Sequence, residues 1–402
     1  MVPVPVPNSA LNMNLGLPLS STGSTFKNIR WVCQYLSLVF EYTLETPIFV
    51  LWKLIPLSVR ASLCSFGWFS FLFVHRLLLG RRTALHPSVS YEAAALSTMM
   101  WGARLVPMTL GRMRFSLNQI ECNYPPSSLV RKEVINALQD GGKVSGIWIH
   151  SQRGPDGTPS SVSSADRRVL VWFYGGAFLS GDVSGNVGLA EKIGLLSNHD
   201  VFLLHYSLCP EHTIHDAFRD ATVGYKWLLE SSGRIPGGNG RLHVSTLGIS
   251  SGGGVALHVC QSFSGKQAPN KQVLVCPWVH YDWLDLYPSM ELNAAHDLVV
   301  TQSVNEYVKR LTKVMAGGEE HRTSISPLGK SVKFDGTRTL VVASEHEVTF
   351  DETAALVIKI KEVGGHVELY SKPFLPHVFC LISFLPEAVE SQHKMAEFLK
   401  TN

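Results

Sequence analysis

The sequence is short of charge and of the features that mark a protein held together by disulfides or metal. Charged residues make up 17% of the 402-residue chain, and 35 Lys+Arg against 32 Asp+Glu leave a formal net charge of +3. No basic stripe interleaved with aromatics is present, so nucleic-acid binding has no support. No Cys-x-x-Cys occurs, and the 7 cysteines (Cys33, Cys64, Cys122, Cys209, Cys260, Cys276 and Cys380) are odd in number and scattered. Most lie in apolar runs such as VLVCPW and LHVC. They read as buried small hydrophobes rather than a disulfide framework or metal site. Asn-x-Ser/Thr is missing too, which gives no encouragement to a glycosylated secreted form. What is abundant is hydrophobicity, 45% of the residues, in a chain long enough for one large α/β domain plus an extra segment.

The extra segment is N-terminal. Residues 1–30 are rich in Pro, Ser, Asn and Gly and are expected to be disordered. Residues 31–85 are aromatic and aliphatic, and no small-residue cleavage site follows the apolar run, which argues against a signal peptide. Between Arg60 and Arg76 lie 15 uncharged residues (76 − 60 − 1), short of the ~20 that cross a bilayer unless both arginines snorkel to opposite interfaces. Pro47 and Pro56 interrupt the earlier run. A membrane anchor or interfacial segment is therefore expected in preference to a clean span.

From about residue 130 the pattern alternates as a mostly parallel sheet requires. SGIWIHS (145–151), RVLVWFY (168–174), VFLLHYSL (201–208), RLHVSTL (241–247), KQVLVCPW (271–278), RTLVVAS (338–344) and HVELY (366–370) read as strands. Residues 215–230, 352–363 and the closing PEAVESQHKMAEFLKT read as helices. Two portions break the alternation, 86–130 and 279–325, and both are expected to cap the C-terminal edge of the sheet, within a domain spanning 86–402.

The chemistry starts at Gly248-Ile249-Ser250-Ser251-Gly252, where a serine sits between a strand-like and a helix-like run. Such a strand–turn–helix serine has the form of a nucleophile elbow, with small neighbours that let chains pass closely. A serine hydroxyl needs a base, and the base needs an acid to fix its tautomer, in the chain order Ser, acid, His. After RTLVVAS come Glu345, Glu347 and Asp351, and after HVELY comes His377. His377 is the expected base and Glu347 the expected acid, with Glu345 second, while Asp351 reads as a helix start. Gly175, Gly176 and Ala177 directly follow a strand, and with the N–H of Ser251 they are the expected oxyanion donors.

WFYGGAFLSGD, HYSLCPEH, GISSGGG, VCPWV, ISPL, EHEVTFDE and PHVF, taken in this order, resemble the hormone-sensitive-lipase-type branch of the α/β-hydrolases over about residues 145–402. With the hydrophobic N-terminal segment, the whole is similar to the fungal membrane-bound steryl acetyl hydrolases. The resemblance implies an α/β-hydrolase fold and a serine esterase for short-chain, acetyl, esters of an apolar alcohol such as a sterol or terpenoid. It implies no metal or organic cofactor. It carries Ser250, Glu347 and His377 to the triad, and Gly175, Gly176, Ala177 and Ser251 to the oxyanion loop. The expected location is a membrane, that of the endoplasmic reticulum. Four departures stand out: Tyr174 for the loop's His, Ala177 for its third glycine (harmless if φ is negative there), Ile249 for the elbow's Asp, and Ser207 and Cys209 beside Tyr206. Two other readings use the same fold, a non-catalytic ligand-binding module like the hormone receptors and an amidase or acyltransferase. The first would be expected to lack His377.

Overall fold

The structure, a computed structural model, describes residues 40–78, 89–100, 108–117, 120–151, 166–230, 241–281, 287–318, 325–329, 334 and 336–401. The expected disorder of residues 1–30 and the start of the apolar segment lie outside these residues, as does Cys33. The chain divides into two units, Met1–Ile48 and Phe49–Asn402. In the first, a π-helical turn at Glu41–Glu45 is closed by the Thr46 hydroxyl donating to the Glu41 carbonyl at 2.9 Å. Helix α1 (Thr46–Leu54) starts there.

The second unit is built on one eight-stranded sheet: β1 (Lys132–Gln139), β2 (Gly142–Ile149), β3 (Asp166–Phe173), β4 (Asp200–Leu204), β5 (Arg241–Ile249), β6 (Lys271–Val275), β7 (Arg338–Ser344) and β8 (Val367–Lys372). The order is β1-β2-β4-β3-β5-β6-β7-β8. β1 and β2 are antiparallel, β2 meets β4 antiparallel, and every later pair is parallel. Parallel strands need crossovers that cover both faces, so their sequences run apolar without alternation. β4 and β6 are buried at all five of their residues. The covering helices are α5 (Val183–Ser197), α6 (Ile214–Glu230), α7 (Ser251–Ser262), α9 (Phe350–Glu362) and α10 (Pro386–Lys400).

The remaining helices lie outside this scheme. Helix α2 (Leu57–Leu78) has 22 residues with a mean hydropathy of 1.5 over its best window, long and apolar enough by length and composition to cross a membrane. Its buried residues are Arg60, Ala61, Trp68 and His75, a single stripe. Arg60 pairs with Glu121 at 2.6 Å, Trp68 stacks on Phe384 at 3.7 Å, and His75 hydrogen-bonds Tyr91 at 2.6 Å. Arg60 is thus turned into the protein, not snorkelled outward. Phe66, Phe69, Phe73 and Leu77 are exposed on the opposite side, each by at least 65%. The first irregular portion forms α3 (Tyr91–Met100) and α4 (Leu110–Leu117), and the second contributes α8 (Gln302–Met315). The two portions meet where the Met108 N–H donates to the Ser303 hydroxyl at 3.0 Å.

Several expectations need correction. VFLLHYSL pairs only as far as Leu204, and KQVLVCPW only as far as Val275, because the chain turns away toward the site. β1 and α5 were not foreseen. β1 is an edge strand with no fully buried residue, and it lacks the continuous apolar run of the parallel strands. Among the cysteines, five of those described are buried, but Cys64 is exposed on α2.

Candidate functional site

The C-terminal ends of β5, β7 and β8 deliver three side chains to one point. β5 ends at Ile249 and α7 begins at Ser251, so Ser250 occupies the whole turn, with φ 52° and ψ −121°. That is a costly conformation for a residue with a Cβ, and it persists because the surroundings over-determine it. Ser250 N–H donates to the Val275 carbonyl at 2.8 Å, and its own carbonyl accepts from Gly253 and Trp278 N–H. The crossing is tight enough that a Cβ at Gly248 would lie 2.2 Å from the Gly252 carbonyl, and one at Gly252 would lie 2.3 Å from that of Phe173. The glycines of the quoted motif are therefore steric requirements.

Ser250 Oγ lies 2.8 Å from His377 Nε2, and His377 Nδ1 lies 2.5 Å from Glu347 Oε2. Glu347 is completely buried and its other oxygen accepts from Ser344 N–H at 3.0 Å. Burial pulls the imidazole toward neutrality, but the Glu347 hydrogen bond and the charges of Glu347 and Asp297 outweigh it, so His377 holds its proton above the ordinary histidine range. Glu345, the second choice, points elsewhere: its carboxylate takes the Ser371 hydroxyl at 2.9 Å. Asp351 lies in the first turn of α9, as expected, and accepts from Ser289 N–H.

Gly175, Gly176 and Ala177 line the same cavity as Ser250 and His377, while Ser251 is buried beneath it. Among the described residues, no acceptor takes the backbone N–H of Gly175, Gly176, Ala177 or Ser251. The condition under which alanine is harmless at 177 is not met: its φ is 54°, in the left-handed region, and Phe178 follows at 60°. The loop is held through that strain by tyrosines. Tyr174 and Tyr206 stack at 4.4 Å, Tyr174 O–H donates to the Tyr206 carbonyl at 3.2 Å, and Tyr206 O–H donates to that of Tyr174. Burial drives both phenols well above their usual range, so they stay neutral donors. Arg114, from α4, supplies further bracing by donating to the Leu179 and Cys209 carbonyls and, bidentately, to Glu211.

The cavity is about 440 Å³, within the size of small-molecule sites. Its walls are mostly apolar: Leu96, Met108 and Met113 come from the first irregular portion, and Leu298, Val300 and Val304 from the second. Cys276 is buried as expected, with its Sγ beside Glu347 and accepting from Val378 N–H at 3.2 Å. The ligand atoms of Cys276, Glu347 and His377 fall within 4.8 Å of one another, but each is engaged in this hydrogen-bonded relay. Asp297, beside His377, was missed. No motif surrounds it in the sequence.

A serine at an elbow, an imidazole and a carboxylate, joined on one rim of a mostly parallel sheet, define the class of α/β-hydrolases. The sequence model of the alpha/beta hydrolase fold family matches residues 170–381, more than half of the chain, and the protein belongs to that family. It is 25% identical to Esterase LipU of Mycobacterium tuberculosis over 60% of this chain and 81% of that protein. It is 23% identical to Gibberellin receptor GID1 of Oryza sativa over 58% of this chain and 67% of the receptor. Among solved structures, an esterase from the bacterial hormone-sensitive lipase (HSL) family matches with TM-score 0.64 at 22% identity, over 77% of this chain and 98% of that one.

Proposed function

We propose that the chain is a serine esterase that hydrolyses carboxylic esters through an acyl-enzyme. The observation that carries this reading is the unbroken Glu347–His377–Ser250 hydrogen-bond series opening onto an apolar cavity. Ser250 Oγ attacks the acyl carbon as its proton passes to His377 Nε2, and Glu347 offsets the imidazolium charge. The carbonyl electrons move onto oxygen, where N–H groups of Gly175, Gly176, Ala177 and Ser251 receive them. Each such donor contributes about 3 kcal/mol to the transition state. Collapse expels the alcohol, which takes the Nε2 proton, and water repeats the sequence to free the acid. The esterase and lipase names among the relatives support this class of reaction.

The finer reading is a short acyl group, acetyl, on an apolar alcohol of sterol or terpenoid type. Its support is the family resemblance for the acyl part and the apolar walls for the alcohol. The portions 86–130 and 279–325 act as the cap that supplies those walls. The exposed stripe Phe66–Phe69–Phe73–Leu77 of α2 rests on a membrane surface, the endoplasmic reticulum in the first instance, from which such esters would be drawn. The receptor-like alternative is disfavoured by the base within hydrogen-bonding reach of the nucleophile. Turnover of aryl acetate, butyrate and decanoate esters tests the proposal. Rates should fall from acetate to decanoate and drop to background in Ser250→Ala. Equal turnover by the unaltered chain and Ser250→Ala removes the mechanism, and rates that rise with chain length replace the acetyl reading with a lipase.

A further inference from the structure

Between β6 and β7, the segment from Ser289 to Val300 touches the loops bearing both the acid and the base. The Asn293 side-chain amide donates to the Glu347 carbonyl at 2.9 Å, and the Ser289 hydroxyl donates to the Val348 carbonyl at 2.8 Å. Asp297 completes the hold. Its carboxylate is buried and receives His377 N–H with both oxygens at 3.2 Å. One of those oxygens also accepts from Val299 N–H at 2.8 Å and Val300 N–H at 3.1 Å. Leu298, Val299 and Val300 are cavity walls. One carboxylate therefore ties the main chain of the base to the main chain of the wall that faces substrate.

We propose that Asp297 is a positioning residue for His377, fixing the imidazole relative to Ser250 and making its alignment depend on how the cavity wall is seated. The inference rests on the esterase reading of the same site. The backbone needs such a tether. Val378, next to the base, has φ 51°, a conformation a β-branched residue rarely holds unaided, and Phe374 in the same turn has φ 57°. A charged acceptor is also stronger than a neutral one in a buried setting. The titratable groups around the imidazole are Glu347 after β7, Asp297 from the insertion, Cys276 after β6 and Cys380 in the following turn, with Glu352 of α9 behind Glu347. Glu352 and the two thiols are pushed by burial toward their neutral forms, so Glu347 and Asp297 are the charges His377 feels. Burial also raises Asp297, with His377 opposing, and a hydrogen-bonded carboxylate beside an imidazole favours the protonated ring.

The test is the rate at which a fluorophosphonate labels Ser250 in the full chain, followed against pH, since labelling needs the nucleophile and its base but no particular ester. Asp297→Asn keeps an acceptor and removes the charge. Its acid limb should move to lower pH, because the imidazole loses its proton more readily, and its plateau should fall. Asp297→Ala removes the tether, and the plateau should fall roughly ten- to hundredfold, as for a base displaced by about an ångström. Asp297→Glu, which keeps the charge on a longer arm, serves if the Asn protein does not fold. Its limb should stay in place while its plateau drops. An Asn or Glu protein with normal melting and with both limb and plateau unchanged overturns the role. Labelling that survives Ser250→Ala fails a different claim, the triad itself.

Discussion

β4 and β6 are buried at every residue, whereas α2, equally apolar in sequence, buries four of its 22 residues. The two regions teach what hydrophobicity does and does not specify. In the sheet, helices on both faces consume it, the chain has one way to fold, and the rim of the sheet becomes a fixed platform. In α2 a stripe of Arg60, Ala61, Trp68 and His75 docks on the protein with Phe71 and Leu72 packed beside it, and Phe66, Phe69, Phe73 and Leu77 face out with nothing among the described residues to cover them. The first kind of burial positions chemistry; the second asks for a partner.

The comparison can be broken first at the rim. Ser250→Ala or His377→Gln should each lower kcat about 10⁶-fold, and Glu347→Gln about 10⁴-fold. Glu345→Gln, on a carboxylate turned toward Ser371, should change kcat less than twofold or so. A larger loss from Glu345 than from Glu347 in steady-state kinetics would reassign the acid. Next comes pH. Since only the neutral imidazole can accept the Ser250 proton, and the site raises His377 above its ordinary value, kcat/KM should fall on acidification with a midpoint above that value. A midpoint below it contradicts the balance of charges around the base.

The outward helix is tested by charge. Phe66→Asp, Phe69→Asp and Phe73→Asp together should abolish co-sedimentation with phospholipid vesicles and leave turnover of a soluble aryl acetate intact. Retained sedimentation moves the membrane contact elsewhere. A smaller effect belongs to the docked stripe. Trp68→Ala empties a packed site against Phe384 and should cost about 3 kcal/mol in denaturant unfolding. Because Phe384 lines the cavity, KM should shift as well. The smallest change is Ala177→Gly, which removes a Cβ from a left-handed residue and should stabilise by about 1 kcal/mol or less, since glycine also gains freedom when unfolded. Destabilisation there would mean that the loop depends on the methyl group.

Much of the sheet was legible because a parallel strand covered on both faces is a run such as RVLVWFY, and few other structures tolerate one. The elbow was legible for a steric reason, as Gly248 and Gly252 have no room for a Cβ. Glu347 and His377 could be placed because each follows a readable strand at the right edge. β1 was not seen because KEVINALQ, with its apolar residues paired at 134–135 and 137–138, shows neither a continuous apolar run nor a strict alternation. The positive φ of Ala177 was not legible because alanine gives no sign of it; the loop is held by Tyr174 packed on Tyr206 and by hydrogen bonds from Arg114 and from Phe178 N–H to Ser251. Asp297 was invisible for a related reason. Its partners are backbone N–H groups, among them one 80 residues away, and no side-chain pattern encodes them.

The most direct measurement is mass spectrometry of the full chain after reaction with a fluorophosphonate. A single adduct on the peptide carrying Ser250, formed at a rate that collapses in His377→Gln, is the expected result. An adduct on another serine, or one on Ser250 that forms as fast without the imidazole, contradicts the claim that these three loops meet to activate one hydroxyl.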